Sequence, residues 1–208
     1  MKKRTPITAA ELTAKLLADP EYIVRRKEKE RRLAERSARL QAEQEPILAE
    51  LRGVGWYVKS VWDLVNTATK YEEAIPILIK HLLLPYSDVT RGGIARALAI
   101  REARFAWAIL VDQFCNEPLP AAEGQGLGAK DGLAVALAAT ATDAVMDELV
   151  MLAKDRSHGE SRLLLLPALK KSKTLAAKQA LDELAFDPDL MKEIASWKRS
   201  KSRKTEMH

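Results

Sequence analysis

The residue types that most often carry catalysis are few in this chain and form no known catalytic pattern. The three histidines are His81, in a Leu-rich helical stretch, His158, in a turn beside Gly159, and His208. The sequence contains no His-Glu-x-x-His motif and no nucleophile elbow, and the glycine-rich stretch 124–128 lacks the flanking features of a phosphate loop. We therefore interpret the histidines as packed or surface residues and the glycine-rich stretch as a loop.

Two of three neighbouring carboxylates could act as an acid–base pair, but their spacing favours the solvated face of a helix. Asp143, Asp147 and Glu148 alternate with Val145 and Leu149 at helical intervals. This alternation is typical of the polar face of an amphipathic helix and predicts solvation rather than proton transfer. The sequence therefore predicts no catalytic residue.

A single cysteine, Cys115, excludes an internal disulfide and a metal site of several cysteines. We interpret it as a small buried apolar residue rather than a reactive thiol. The first residues run into a stretch interrupted by Glu11, Lys15 and Asp19, which does not resemble a signal peptide, and no apolar run is long enough to span a membrane. We expect no cofactor, no metal, no membrane insertion and a cytoplasmic location.

Composition indicates helices packed closely on helices, in one folded domain with peripheral structure. Aromatic residues make up only 5% of the chain, so Ala and Leu, which are strong helix formers, supply most of its apolar character. Charge is uneven: residues 1–52 contain 13 Lys and Arg against 9 Asp and Glu, 53–197 contain 16 against 19, and 198–208 contain 5 against 1. Any general affinity for nucleic acid is therefore expected only at the basic ends.

Residues 1–52 are predicted to form a charged helical N-terminal arm. Thr8 and Glu11 fit a capping box, and Asp19-Pro20-Glu21 starts a second helix that nothing breaks before about Gln44. Pro46 is expected to restart the helix once more, and Gly53-Val54-Gly55 to end the arm. Leu33, Leu40 and Ile47 recur every seven residues without a second apolar seam, which favours a solvated helix over a coiled coil.

One pattern recurs between residues 56 and 197. A basic residue is followed by an apolar residue three positions later and by Ala-Leu at positions six and seven, which places the apolar members on one helical face. The three copies are Arg91, Ile94, Ala97 and Leu98; Lys130, Leu133, Ala136 and Leu137; and Arg162, Leu165, Ala168 and Leu169. Another amphipathic helix precedes each copy, over 75–84, 103–115 and 142–154. Because one helix pair cannot bury its apolar face alone, the pairs are expected to stack.

The repeated motif resembles the HEAT-repeat superfamily, including the HEAT-like repeats named after phycobilisome lyases. Asp88-Val89-Thr90-Arg91 through Leu98 is the closest copy; Pro167 interrupts the third, and Asp187-Pro188-Asp189-Leu190 opens a fourth with Met191 at the basic position. The resemblance implies an all-α fold, in which residues 53–197 form a short right-handed α-solenoid of about four helix pairs.

Arg91, Lys130 and Arg162 occupy the basic position of the three copies. The resemblance favours a structural role, in which they link neighbouring repeats to acidic residues such as Asp88 and Asp155. The alternative is a basic ladder that binds phosphates.

Two tryptophans and the basic tail are the candidate partner contacts. Trp56 and Trp62 lie on the first helix of the stack, where no preceding repeat covers them, so at least one is expected to meet the arm or a partner. Trp107 is predicted to lie in the core. Residues 198–208 are predicted to be disordered, either as a solubilising end or as a contact to an acidic surface. The basic side chains of this tail are Lys198, Arg199, Lys201, Arg203 and Lys204.

These observations predict a non-catalytic protein that binds another macromolecule, most simply a protein partner. The first alternative is a nucleic-acid-associated protein whose basic termini contact phosphates. The second is an enzyme, a lyase or a DNA glycosylase, on a HEAT-like scaffold.

Overall fold

The structure, a computed structural model, describes residues 8–65, 67–119 and 128–197. The regular elements of these residues are all helical, with no strand, so the predicted all-α class is confirmed for this part of the chain. The α-helices are α1 (Ala9–Leu17), α2 (Pro20–Gly53), α3 (Trp62–Val65), α4 (Ile75–Leu82), α5 (Asp88–Ala97), α6 (Trp107–Asn116), α7 (Ala129–Thr140), α8 (Met146–Lys154), α9 (Leu166–Lys171) and α10 (Leu175–Leu184). Short 3-10 helices cover Glu72–Ala74, Arg101–Ala106, Asp143–Val145 and Arg156–Leu164, and a further helix includes 191–197.

The chain divides into two compact units, the first ending at Glu43 and the second beginning at Gln44. In the first unit, the predicted capping box is present: Glu11 N–H donates to Thr8 Oγ1 over 3.3 Å, and Thr8 N–H donates to Glu11 Oε2 over 2.9 Å. Helix α2 passes through Pro46 without a break, so the restart predicted there is wrong. Loss of one backbone hydrogen bond at Pro46 is tolerated because the next turns bury Ile47 and Leu51 in the second unit.

In the second unit, the helices pack in successive pairs. Helix α4 packs on α5, α6 packs on α7, and α8 packs on Arg156–Leu164 and α9. The second members of successive pairs also touch, because α5 lies along α7, and α7 contacts Arg156–Leu164 and α9. Burial of the shared faces supplies the main stabilisation of these short helices, which are too short to be stable alone.

The apolar positions of the repeated motif lie in the core of the second unit. Ala97, Leu98, Ala136 and Leu137 are fully buried, and Leu169 is nearly so. Ala168 is 8% exposed. The third copy departs from a regular helix, because Arg162 lies in the 3-10 segment and Pro167 is the second residue of α9. Gly159 permits this irregular start, since its φ of 58° is unfavourable for a residue with a side chain.

Glycines set the close approach of α5 to α7 and of α5 to the start of α3. A Cβ atom at Gly132 would lie 2.7 Å from the carbonyl oxygen of Gly92 and 3.1 Å from Cβ of Ala95. At Gly93, a Cβ would lie 2.7 Å from Cγ2 of Val61 and 2.8 Å from Nε1 of Trp62. These positions admit no side chain at the observed spacing, so the helix packing depends on glycine at both.

Candidate functional site

The basic residue of the third repeat is completely buried and fully engaged. Arg162 donates from Nη1 to Oδ2 of Asp187 over 3.0 Å and from Nη2 to Oδ2 of Asp189 over 2.8 Å. It also donates from Nε to the carbonyl oxygen of Gly159 over 3.0 Å. Hydrogen bonding from Arg162, more than any other interaction, lowers the pKa of Asp187 below its ordinary value. Arg162 is therefore a buried, charge-paired link.

The other two basic positions make contacts of the same kind. Arg91 Nη2 lies 2.8 Å from Oε2 of Glu117, in the turn that follows α6. Lys130 Nζ donates to the carbonyl oxygens of Phe114 and Glu117, the latter over 3.0 Å, and lies 3.2 Å from Nδ1 of His158. Arg91 thus reaches from α5 to the turn after α6, and Arg162 reaches from the 3-10 segment after α8 to the residues after α10. Lys130, on α7, binds the carbonyl oxygens at the end of α6 in its own pair and contacts His158 after α8. We call these three residues the inter-repeat ladder.

The acidic neighbours expected for the ladder have other partners. Asp88 accepts from the backbone N–H of Ala129 over 2.7 Å, at the start of the next helix along the stack. Asp155 accepts from the N–H of Ser157 over 2.9 Å. Arg162 is fully buried, Lys130 is only 3% exposed, and the partly exposed Arg91 is paired with Glu117, which favours the structural role over a ladder that binds phosphates.

Several ionisable groups around Lys130 have shifted pKa values. Burial lowers the pKa of Lys130, and burial followed by repulsion from Lys130 lowers the pKa of His158. Burial likewise raises the pKa of the Glu117 carboxyl group, although Arg91 acts in the opposite sense. Cys115 is exposed, contrary to the expectation of a buried residue. None of these side chains lines either groove described next.

Two grooves lie away from the ladder, towards the other end of α7. The first has a volume of about 290 Å³, and the second has a volume of about 550 Å³. They flank the Arg101–Ala106 segment and share α7, which contributes Val135 to the first and Ala138 and Ala139 to the second. Whereas Lys130 is near the start of α7, Ala138 and Ala139 are near its end, so the grooves and the ladder are at opposite edges. We call the two grooves together the groove face.

The cations of the groove face differ from those of the ladder in having no acidic partner. Arg96 lines the first groove, and Arg101, Arg104 and Lys171 line the second. Among the described residues, none of the four makes an ion pair or a side-chain hydrogen bond. The Nε atom of Arg96 is buried with no acceptor, although a buried donor ordinarily has one. Lys70 is the exception on this face, because its Nζ lies 3.7 Å from Oε1 of Glu102.

Sequence reasoning did not select these four cations, although a signal was present. Arg26 and Glu30, like Arg31 and Glu35, pair at a spacing of four along α2. The groove-face cations have no acidic residue three or four positions away on either side. Basic surface residues without such neighbours make no local ion pair along their helix, so their charges are solvated or are available to a partner.

The tryptophans proposed as partner contacts are partly covered by their own unit. Trp56 was predicted to lie on a helix, but it lies in the non-helical segment between the end of α2 at Gly53 and the start of α3 at Trp62. It is half-buried, with its ring edge-on to Tyr71 and the centroids 5.8 Å apart. Trp62 is also half-buried and packs beside Gly93. The predicted core position of Trp107 is confirmed: it is 9% exposed, and its indole Nε1–H donates to Glu148. The basic side chains of the tail, at 198–204, lie outside the described residues.

The described residues lack both a candidate metal site and a membrane-spanning helix. They contain no group of three or more His, Cys, Asp or Glu side chains placed to hold a metal ion. No described helix is both long enough and apolar enough to cross a bilayer. In comparisons with known proteins, no family model matches the chain, and neither the curated proteins nor the solved structures contain a significant match.

Proposed function

We propose that this chain is a non-catalytic binding protein and that its groove face is the surface that holds a macromolecular partner. In this proposal, the second unit is a short right-handed solenoid of about four HEAT-like helix pairs. The successive packing of α4 on α5, α6 on α7 and α8 on α9 supports the solenoid, as does the repeated reach of the ladder residues to the next pair. The partner is proposed to be a protein.

The observation that carries the proposal is the contrast between two sets of basic residues on the same helices. At one edge, Arg91 and Arg162 are paired with carboxylates, and Lys130 is held by carbonyl oxygens. At the other edge, four cations have no acidic partner among the described residues: Arg96, Arg101, Arg104 and Lys171. Unpaired charges around a concave surface are available for electrostatic complementarity with a partner, which steers association and fixes its register.

The composition of the grooves supports binding rather than catalysis. The described residues that line them include neither histidine nor cysteine, and alanine is the commonest residue type in the lining of the second groove. Ser172 Oγ donates to Oδ1 of Asp143 over 3.3 Å, but none of the described residues that line the groove is a histidine that could carry a proton between the two in a catalytic triad. The perturbed groups, Lys130 and His158, are buried at the ladder instead.

Site-specific photo-crosslinking tests the proposal. A benzophenone side chain is placed at Asp143, an exposed residue that lines the second groove, and separately at Met151, which is 71% exposed and lines neither groove. In the native cell, the Asp143 position is expected to give a discrete adduct. Introducing Arg101→Glu and Arg104→Glu should abolish that adduct, because charge reversal on the rim repels the same partner.

Two results would contradict the proposal. One is the same adduct from Met151 as from Asp143, which would show that the groove face is not selective. The other is an adduct at Asp143 that persists when Arg101 and Arg104 are both reversed in charge.

A further inference from the structure

We infer that the second groove binds an extended acidic peptide segment, with carboxylates that meet its basic rim and a small aliphatic side chain that meets its alanine floor. This inference rests on the proposed function and names the chemistry of the partner. The rim is formed by Arg101, Arg104 and Lys171, and the floor by Ala138, Ala139 and Ala168.

The two arginines are placed to act together. Arg101 and Arg104 are three residues apart in the 3-10 segment Arg101–Ala106, where residues at that spacing lie directly above one another. Both are exposed and both line the groove, while Lys171 contributes a third positive charge from the end of α9. A guanidinium group binds a carboxylate through paired, charge-assisted hydrogen bonds, so this rim suits two neighbouring acidic side chains.

The floor of the groove selects for an aliphatic group. Ala138, Ala139, Ala141 and Ala168 present methyl groups, and Met146 adds a flexible apolar side chain. None of the described residues that line this groove is aromatic, so they offer no platform on which a nucleobase could stack. A peptide with a short aliphatic side chain between two carboxylates matches this groove, because the aliphatic group can contact the alanines while the carboxylates contact the basic rim.

Carboxylates on the groove face argue against a phosphate backbone as the occupant. Asp143 lines the second groove, and Glu72 and Glu102 line the first. A nucleic-acid strand carries a charge on every residue and would place phosphates against these acidic groups. A peptide can space its carboxylates to meet the arginines and leave neutral residues elsewhere. Residues 53–197, with 16 basic and 19 acidic side chains, also lack the positive field that favours nucleic acid.

Fluorescence anisotropy with the full chain tests the inference with three labelled probes. These are a peptide of alternating Glu and Ala, the same peptide with Gln in place of Glu, and a single-stranded oligo-dT. We expect the Glu-Ala peptide to bind and the Gln-Ala peptide not to bind. The variant Arg101→Gln/Arg104→Gln should weaken Glu-Ala binding by about tenfold or more, because two charge-assisted contacts are lost.

A matched control separates the groove from general positive charge. Lys178→Gln/Lys192→Gln removes the same charge from exposed positions that line neither groove, and Glu-Ala binding should stay within about twofold of the parent. Helical content and the melting temperature of both variants, measured in parallel, verify that the fold is retained.

The outcomes distinguish this inference from the proposed function. Tighter binding of oligo-dT, lost in Arg101→Gln/Arg104→Gln, would overturn the acidic peptide and leave the groove as the binding surface. Glu-Ala binding that both double variants weaken equally, or no Glu-Ala binding at all, would overturn the inference. If the inference fails in this way, the photo-crosslinking experiment at Asp143 still tests separately whether any partner occupies the groove.

Discussion

Arg162 Nη1 lies 3.0 Å from Oδ2 of Asp187, and the Arg162 side chain has no exposed surface. This ion pair joins the segment after α8 to the residues that open the 191–197 helix. Asp189, two residues further on, accepts a hydrogen bond from Nη2 of Arg162, with 2.8 Å between Nη2 and Oδ2. The end of the second unit is thus held by a buried charge network as well as by apolar packing.

Replacing Arg162 with alanine is expected to lower the free energy of unfolding by about 3 kcal/mol, because it leaves the buried Asp187 carboxylate without its main partner. Arg156→Ala is the matched control. Arg156 also contacts Asp187, at 3.3 Å, but its side chain is 68% exposed, so its loss should cost less than about 1 kcal/mol. Urea denaturation measures both values, and equal costs would contradict a buried, dominant Arg162 link.

Acid should destabilise the protein through His158. Burial and the charge of Lys130 lower its pKa from an ordinary value of 6.5, while Asp155, 3.7 Å from Nε2, acts in the opposite sense. Because the pKa of His158 is lower in the folded protein than in the unfolded chain, the unfolded chain binds the proton first as the pH falls below about 6.5. The contribution of neutral His158 to stability is therefore complete above about pH 6.5 and is lost as the pH falls through the lowered pKa.

The variant His158→Gln isolates this effect. Glutamine stays neutral and can still accept from Lys130, so the free energy of unfolding should depend less on pH between about pH 7 and about pH 5 than in the parent. Denaturant titrations across this range measure the difference. Identical pH profiles for the two proteins would show that His158 is not the group responsible.

The glycine contact between α5 and α7 predicts an unusual response to alanine. Gly132→Ala should destabilise the protein by roughly 2 kcal/mol, because a Cβ 2.7 Å from the Gly92 carbonyl forces two backbones apart and outweighs the helix preference of alanine. Gly53→Ala meets no atom within 4 Å and should be neutral or slightly stabilising. A Gly132→Ala variant that melts at or above the parent temperature would exclude the observed approach of α5 and α7.

The buried alanine of the second repeat should not tolerate a charge. Ala136 is completely buried in α7, so Ala136→Asp places an unpaired carboxylate in the core and should cost roughly 4 kcal/mol or more. Ala108→Asp is the control, since Ala108 is exposed in the first turn of α6, where an acidic residue interacts favourably with the helix dipole. Thermal melting of both variants tests whether Ala136, and not Ala108, faces the core. Similar melting temperatures for the two variants would contradict this assignment.

Helical periodicity predicted most of the helices of the second unit and the core positions of the first two motif copies, but not the irregular third copy or the continuity of α2 through Pro46. Ala97 and Ala136 are buried because spacings of three and four residues directly determine which side chains share a helical face. The partners of the ladder could not be predicted in the same way. Glu117 and Asp187 follow the first helices of later pairs, and their positions depend on turn lengths and on how the pairs pack.

The groove face was harder still to predict, because a groove is formed by residues far apart in the chain. Arg104 and Lys171 line one cavity only because α7 and α9 pack together behind it. Local sequence could show that these cations lack helical neighbours of opposite charge, but not that they share a surface. Helix α2 passes through Pro46 for a similar reason, since burial of Ile47 and Leu51 outweighs a local preference.

The most direct test of the groove face is quantitative capture of the partner from native extract by three forms of the full chain. These are the parent, Arg101→Glu/Arg104→Glu and the control Lys178→Glu/Lys192→Glu, with recovery measured by mass spectrometry. We expect the parent and the control to recover one discrete partner and the arginine variant to lose it. Equal recovery of that partner by all three forms would contradict the assignment of the groove face as the binding surface.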